Sequence, residues 1–198
     1  MHSIKGVETA SITFITGGVR SGKSSFAERM AIEKASEIGG SLHYIATSEA
    51  SDDEMKERIA RHQRDRQVGG SIWKTWEQAT DIGTLASHFQ KQDVILLDCL
   101  TTLLSNELFA HESNREQLSL KNEEVFQRIW NGIKTIANQC HYLVLVSNEV
   151  LSEPVSSSEL MMTYCQLLGK LHQQITSNAK QAYVVEVGIP LLMKGEEQ

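Results

Sequence analysis

Eight residues near the amino terminus have the types and the spacing of a phosphate-binding loop. They match the pattern GxxxxGK[ST] in full, and they are Gly17, Gly18, Val19, Arg20, Ser21, Gly22, Lys23 and Ser24. Glycines let backbone N–H groups turn toward phosphate oxygens, and the positive end of a following helix attracts the same anion. Lys23 has the reach to contact the β- and γ-phosphates, and Ser24 offers a hydroxyl to Mg²⁺. The loop predicts a nucleotide site with Mg²⁺, without defining the base or the reaction.

An acidic residue further along the chain has a position that suits the same chemistry. Asp98 directly follows Val94–Leu97, a continuous apolar run typical of a strand that is buried on both faces. Enzymes with a phosphate-binding loop commonly place an acid at the end of such a strand, where it holds the magnesium shell. The alternative is an Asp98 that caps the helix predicted from about Thr101. The buried strand favours the magnesium role.

The elements that must position these residues alternate between strand and helix. Apolar and β-branched runs predict strands at Ile12–Thr16, Leu42–Ala46, Ile72–Thr75, Val94–Leu97 and Tyr142–Val146, with Ala182–Val187 as the last strand. Helical spacing predicts helices at Lys23–Ile38, Ser51–Arg66, Asp81–Phe89, Thr101–Ala110, Ser119–Gln139 and Glu159–Asn178. This alternation predicts an α/β fold similar to the P-loop NTPases, with a mostly parallel sheet flanked by helices on both faces. Ligands are then expected at the carboxyl ends of the strands.

Composition narrows the class of protein. The 198 residues predict one P-loop nucleotide-binding domain over residues 1–198, with 1–11 as a loose N-terminal extension. The net charge of −6 makes nucleic acid an unexpected partner, and no apolar run is long enough for stable membrane insertion. The three cysteines form no CxxC pair, and no secretory signal precedes Ser11. We therefore expect a cytoplasmic protein.

Several blocks of sequence resemble a known enzyme family. They are ITGGVRSGKSSFAE (15–28), YIATS (44–48), DDEMKERIARHQRDR (52–66), WKTWE (73–77), LLDCLTTLLSN (96–106), VSNEV (146–150) and the closing GIP..MKG (188–195). In this order they resemble the bifunctional adenosylcobinamide kinase / adenosylcobinamide-phosphate guanylyltransferase of cobalamin biosynthesis. The resemblance implies a homotrimer that uses ATP, GTP and Mg²⁺, and a small corrinoid as acceptor.

The resemblance also implies roles for individual residues. In this family GMP is carried on a histidine, which corresponds to His62. The implied nucleotide contacts beyond the phosphate-binding loop are Thr47, Ser48, Glu49, Gln63, Arg64, Asp65, Arg66, Glu77 and Asp98.

The chemistry of His62 is consistent with that role. A neutral imidazole can attack the α-phosphorus of a nucleoside triphosphate, expel pyrophosphate and leave a reactive phosphoramidate. The segment Lys56–Arg66 carries a local charge of +3, which suits a triphosphate. The spacing of His62 with Met55 and Ile59 favours a packed core histidine instead, and the basic residues also suit a solvated helix face. The resemblance favours the nucleophile.

The resemblance is weakest between Leu151 and Gln173. The glycine-rich segment, the arginines and the asparagine that the family usually has after its VSNEV block are absent here. Because this region is a candidate for shaping the acceptor site, two alternatives stay open. One is a P-loop kinase of another small hydroxyl compound, and the other is a non-catalytic, nucleotide-binding regulatory homologue.

Overall fold

A computed structural model describes residues 10–48, 72–109, 118–150 and 159–196 of the chain. Seven strands of this part form one sheet, in the spatial order β3-β2-β4-β5-β1-β6-β7. The strands are β1 (Ser11–Gly17), β2 (Leu42–Ala46), β3 (Trp73–Glu77), β4 (Val94–Asp98), β5 (Tyr142–Asn148), β6 (Gln181–Glu186) and β7 (Ile189–Lys194). All neighbouring pairs are parallel except β6 with β7, which is antiparallel.

The helices lie on both faces of the sheet. They are α1 (Lys23–Ile38), a 3₁₀ helix (Ile82–His88), α2 (Leu100–Phe109), α3 (Leu118–Ala137) and α4 (Glu159–Asn178). Small residues of α1 (Ala27, Ala31 and Ala35) pack on one face, and the other four elements cover the opposite face. Within the described ranges, no helix has the length and apolar character needed to cross a membrane. This arrangement confirms the predicted α/β fold.

The centre of the sheet is buried on both faces, and β4 shows why, because it is apolar at each position from Val94 to Leu97. In β4, Val94 and Leu96 face α1, whereas Ile95 and Leu97 pack with the helices of the other face. All four side chains are fully buried. The alternation places Asp98 on the α1 face, since it follows Leu96 by two residues.

The carboxyl-terminal strands differ from the prediction. The strand predicted at Ala182–Val187 is not the last one, because the chain turns at Val187 and Gly188 and returns as β7. Both turn residues have positive φ, 50° and 81° respectively, which takes Val187 out of the strand. Pro190 explains why this strand was not predicted, because proline is tolerated mainly in edge strands.

Other predicted elements differ mainly at their ends. The third strand extends through Glu77, the fourth includes Asp98, and the weak helix predicted at Asp81–Phe89 is a 3₁₀ helix. The helix predicted at Ser51–Arg66 lies outside the described residues.

Candidate functional site

The phosphate-binding loop joins the carboxyl end of β1 to the start of α1. The turn between β6 and β7 supports it, because the Gly188 N–H donates to the Ser21 carbonyl over 2.8 Å. The residue after β5 supports it too, since the Glu149 N–H donates to the Gly17 carbonyl over 2.9 Å. Gly22 precedes α1 with a φ of 92°, a conformation that glycine adopts readily. The loop is therefore held by two neighbouring strand ends.

Gly17 and Gly18 provide a matched pair for testing this packing. A β-carbon at Gly17 would lie 2.5 Å from the Val185 carbonyl oxygen, whereas one at Gly18 would meet nothing within 4 Å. We expect Gly17→Ala to lower the free energy of unfolding by about 1–3 kcal/mol, the usual cost of overpacking. Gly18→Ala should leave it nearly unchanged. Urea unfolding of both variants measures the difference, and equal stabilities would contradict the close approach at Gly17.

The lysine of the loop is inside the site. Lys23 is only 5% exposed, and its Nζ donates a hydrogen bond of 3.0 Å to the Gly18 carbonyl. Ser24 is the second residue of α1 and is half-buried, whereas Val19 and Arg20 are exposed at the tip of the loop. This geometry keeps the ammonium beside the backbone that would surround the phosphates.

Asp98 ends β4, and β5 alone separates β4 from β1. The distance across the sheet between the two strands is about 10 Å, twice the usual strand spacing. The carboxylate is half-buried, and its Oδ2 accepts a hydrogen bond of 3.1 Å from the Tyr44 hydroxyl. That oxygen therefore contacts β2 and not the start of α2, which favours the magnesium role over the capping alternative.

The donor set near the loop fits Mg²⁺. Ser24 and Asp98 supply oxygen atoms, which Mg²⁺ prefers, and this ion usually binds through one or two carboxylates together with substrate phosphates. The described residues contain no group of three or more His, Cys, Asp or Glu side chains that could hold a metal by themselves. The arrangement thus suits an ion that enters with the nucleotide.

Thr47, a predicted nucleotide contact, uses its side chain inside the protein. Its side chain is fully buried. The hydroxyl donates to the Cys99 carbonyl over 2.8 Å and accepts from the Cys99 N–H over 2.9 Å. Because the single hydroxyl proton is already used and the side chain has no exposed surface, it does not line an open site. The resemblance alone could not show this internal use.

Glu77 lies far from the phosphate-binding loop. It ends the edge strand β3, which is four strand spacings, or about 19 Å, from β1. Glu77 and Asp98 both pair with Ala46 in the register of the sheet, and alternation places both on the α1 face. Ser48 follows Thr47 and is half-buried. The remaining predicted residues lie outside the described part: Glu49, His62, Gln63, Arg64, Asp65 and Arg66.

A half-buried histidine lies behind the carboxyl end of β5. His172 of α4 has its Nε2 2.8 Å from the Oγ of Ser147, which is itself fully buried. Burial lowers the pKa of His172 from 6.5 to about 4, although the Glu149 carboxylate raises it in part. The imidazole is therefore neutral at pH 7, and it links α4 to the strand end beside the loop.

This histidine makes the protein sensitive to acid. In the unfolded chain this histidine takes up a proton near its ordinary pKa of 6.5, whereas folded His172 takes one up only near its lowered pKa of about 4. The free energy of unfolding should thus fall by about 3 kcal/mol across this interval. We expect His172→Gln to lose less stability between pH 7 and pH 4.5 than the wild type, as measured by urea unfolding. His141→Gln, at an exposed position, is the control. An equal acid loss in His172→Gln and wild type would contradict the assignment.

Sequence reasoning missed Tyr44 and the turn at Gly188. The apolar alternation of β2 already indicated that Tyr44 faces one side of the sheet. The adjacency of β2 and β4, which brings Tyr44 to Asp98, is set by the strand order and has no local signal. The turn at Gly188 did have a local signal, since a glycine directly after a predicted strand indicates a turn.

Comparison with known proteins agrees with the site. A sequence model described as cobinamide kinase / cobinamide phosphate guanyltransferase matches residues 13–193. The bifunctional adenosylcobalamin biosynthesis protein CobP of Pseudomonas aeruginosa is 34% identical, and the alignment covers 92% of this chain and 96% of that protein. The corresponding protein CobU of Escherichia coli is 31% identical, with 91% and 98% covered. CobU of Salmonella typhimurium is 34% identical, with 91% and 98% covered.

A solved structure supports the fold. The ATPase domain of G40P superposes with a TM-score of 0.50 at 13% sequence identity, covering 89% of this chain and 70% of that domain. The likeness concerns the P-loop NTPase fold alone. The family match spans the loop, Asp98 and the carboxyl-terminal hairpin. On this basis the chain belongs to the cobinamide kinase / cobinamide phosphate guanyltransferase family.

Proposed function

We propose that this protein phosphorylates adenosylcobinamide and then transfers GMP from GTP to adenosylcobinamide phosphate. The observation that carries the proposal is the family match over residues 13–193, together with a complete phosphate-binding loop. The match runs through the segment 151–173, where the resemblance was weakest. It therefore favours the bifunctional enzyme over the kinase of another compound and over a non-catalytic homologue.

The first step is phosphoryl transfer at the phosphate-binding loop. The acceptor hydroxyl attacks the γ-phosphorus and gives its proton to water, while the bond between the γ-phosphorus and the oxygen that bridges it to the β-phosphorus breaks and the diphosphate leaves. Negative charge develops on the transferred group and on the leaving diphosphate, so a cation held in place lowers the barrier. Lys23 supplies that cation, and bound Mg²⁺ would neutralise further phosphate charge, with Ser24 and Asp98 as its protein partners.

The second step uses His62 as a nucleophile. A ring nitrogen of the neutral imidazole attacks the α-phosphorus of GTP, and pyrophosphate leaves. An oxygen of the acceptor phosphate then displaces the imidazole from the bound GMP, which restores the histidine. The basic segment Lys56–Arg66 offsets charge on the leaving pyrophosphate. Gln63, Arg64, Asp65, Arg66, Ser48 and Glu49 remain proposed nucleotide contacts.

The width of the sheet edge supports a reaction with more than one ligand. Glu77 is about 19 Å from the strand that carries the phosphate-binding loop, so one phosphate pocket does not contain both. We assign Glu77 to the part of the site that is remote from the loop. Such an extended edge suits an enzyme that must place a nucleotide and a large acceptor together.

We also propose a homotrimer that works in the cytoplasm and does not bind nucleic acid. An apolar row along the edge strand β7 supports self-association. Ile189, Leu191 and Met193 are 63%, 46% and 67% exposed, and Val187 in the preceding turn is 94% exposed. Exposed apolar patches often mark contacts between proteins. The net charge of −6 supports the absence of nucleic acid.

Two labels separate the steps and test the function. The protein is incubated with Mg²⁺ and adenosylcobinamide, once with ATP labelled at the γ-phosphate and once with GTP labelled at the α-phosphate. We expect the first label on the acceptor as a phosphate and the second as GMP joined to that phosphate. Transfer of the γ-label to other hydroxyl compounds only would favour another kinase. Nucleotide binding without either transfer would overturn the proposal.

A further inference from the structure

The site holds an aspartate, Asp98, that two residues of one neighbouring segment contact at different groups. Tyr44 lies in β2 and is 6% exposed, and its hydroxyl donates to Oδ2 of Asp98 over 3.1 Å. Thr47 follows β2, and its backbone N–H donates to the Asp98 carbonyl over 3.2 Å. One contact thus reaches the side chain of Asp98, and the other reaches its main chain.

Thr47 also holds the residue after Asp98. Its hydroxyl both donates to the Cys99 carbonyl and accepts from the Cys99 N–H. Asn106 of α2 then holds Thr47, because its Nδ2 donates to the Thr47 carbonyl over 2.8 Å and to the Ala79 carbonyl over 3.1 Å. Every backbone and side-chain polar group of Thr47 therefore has a protein partner.

This set of contacts limits the ways in which the Asp98 carboxylate can turn. The peptide group that follows Asp98 is attached to Thr47 through the Asp98 carbonyl and the Cys99 N–H, and one carboxylate oxygen accepts a hydrogen bond from the buried Tyr44. A carboxylate that is held in one orientation needs no reorganisation when a charged ligand arrives. Because the Tyr44 hydroxyl donates to Oδ2, we assign Oδ1 to the ligand.

We propose that Tyr44 and Thr47 are positioning residues, which orient Asp98 toward the magnesium shell of the bound nucleotide. This inference rests on the proposed role of Asp98 in that shell. It also replaces the role of Thr47 as a nucleotide contact. Tyr44 acts on the carboxylate, and Thr47 acts on the main chain that follows Asp98.

The test measures how much Mg²⁺ strengthens nucleotide binding, which requires no turnover. The dissociation constant of GTP is measured by calorimetry with Mg²⁺ and again with a chelator, and the ratio of the two constants is compared among variants. We expect Asp98→Asn to lower this ratio strongly. Tyr44→Phe should lower it about tenfold, which matches the loss of one hydrogen bond to a charged group. Binding with the chelator should stay at the wild-type value.

Two controls separate positioning from general damage. Tyr142→Phe removes another buried tyrosine hydroxyl, at the amino end of β5, which lies 2.6 Å from the Thr13 Oγ1 of β1. This variant should keep the wild-type ratio. The double variant of Tyr44→Phe with Asp98→Asn should match Asp98→Asn alone, because the tyrosine acts through the carboxylate.

Thr47 has its own conservative pair. Thr47→Ser keeps the hydroxyl and should keep the ratio, whereas Thr47→Val keeps the shape and should lower it. If Thr47→Val does not fold, the Tyr44 variants decide. A normal ratio in Tyr44→Phe with a low ratio in Asp98→Asn would overturn the positioning role. A normal ratio in Asp98→Asn would instead overturn the proposed role of Asp98, and the inference with it.

Discussion

Replacing Lys23 with methionine will lower phosphoryl transfer to adenosylcobinamide by about 10²–10³-fold, the usual effect of losing one positioned donor to developing charge. Lys23 is 5% exposed and donates to the Gly18 carbonyl inside the loop, so its ammonium is held before the nucleotide arrives. Methionine keeps most of the length and the apolar stem, and it removes only the charge and the donors. Steady-state transfer from γ-labelled ATP measures the effect, and kcat should fall more than affinity for the acceptor.

Lys134→Met is the matched control for this experiment. Lys134 is exposed in the last turn of α3, which leads to the amino end of β5 and so to the edge of the sheet opposite the phosphate-binding loop. This variant should therefore keep wild-type activity. A transfer rate in Lys23→Met close to that of Lys134→Met would show that the loop does not hold the transferred phosphate.

Replacing His62 with alanine will abolish the covalent GMP adduct. The imidazole is the proposed nucleophile, and alanine offers no atom that can attack phosphorus. The protein is mixed with Mg²⁺ and α-labelled GTP, then denatured, and the retained label is counted. Wild type should keep an adduct that is labile in acid and stable in alkali, as expected of a phosphoramidate. In the variant the label should fall to background while transfer of the γ-phosphate continues.

His141→Ala is the matched control for the adduct. His141 is exposed and lies before β5, at the edge of the sheet opposite the phosphate-binding loop. It should keep the full adduct. Label that persists in His62→Ala would remove His62 from the mechanism, and an adduct from ATP in place of GTP would refute the guanine assignment.

The two predictions differ in whether the structure describes the residue that is replaced. Lys23 is described in full, so its experiment tests an observed contact. His62 lies outside the described residues, so its role rests on the resemblance and on the reactivity of imidazole. Because each label follows a separate bond, failure of one experiment leaves the other proposal intact.

Local sequence patterns were sufficient for much of the fold. The run before Gly17 predicted β1, and the small residues of α1 predicted a helix against the sheet, because both signals arise from short-range periodicity. Glu159–Asn178 was predicted with the bounds that the structure has. β7 was missed because Pro190 interrupts its apolar residues, and proline is tolerated mainly in edge strands.

Part of the candidate site could likewise be predicted from local sequence, and part of it depended on the tertiary structure. The type and spacing of residues in the phosphate-binding loop were sufficient by themselves to predict that Lys23 and Ser24 contact a nucleotide, because the loop is a continuous segment whose geometry is local. Strand order decided the partners of Asp98, the distance of Glu77 from the loop and the internal role of Thr47. β2 and β4 are separated by 47 residues of chain, from Ala46 to Val94, yet they are neighbours in the sheet. Such pairing depends on how the whole chain buries its apolar surface, and no short stretch of sequence contains that information.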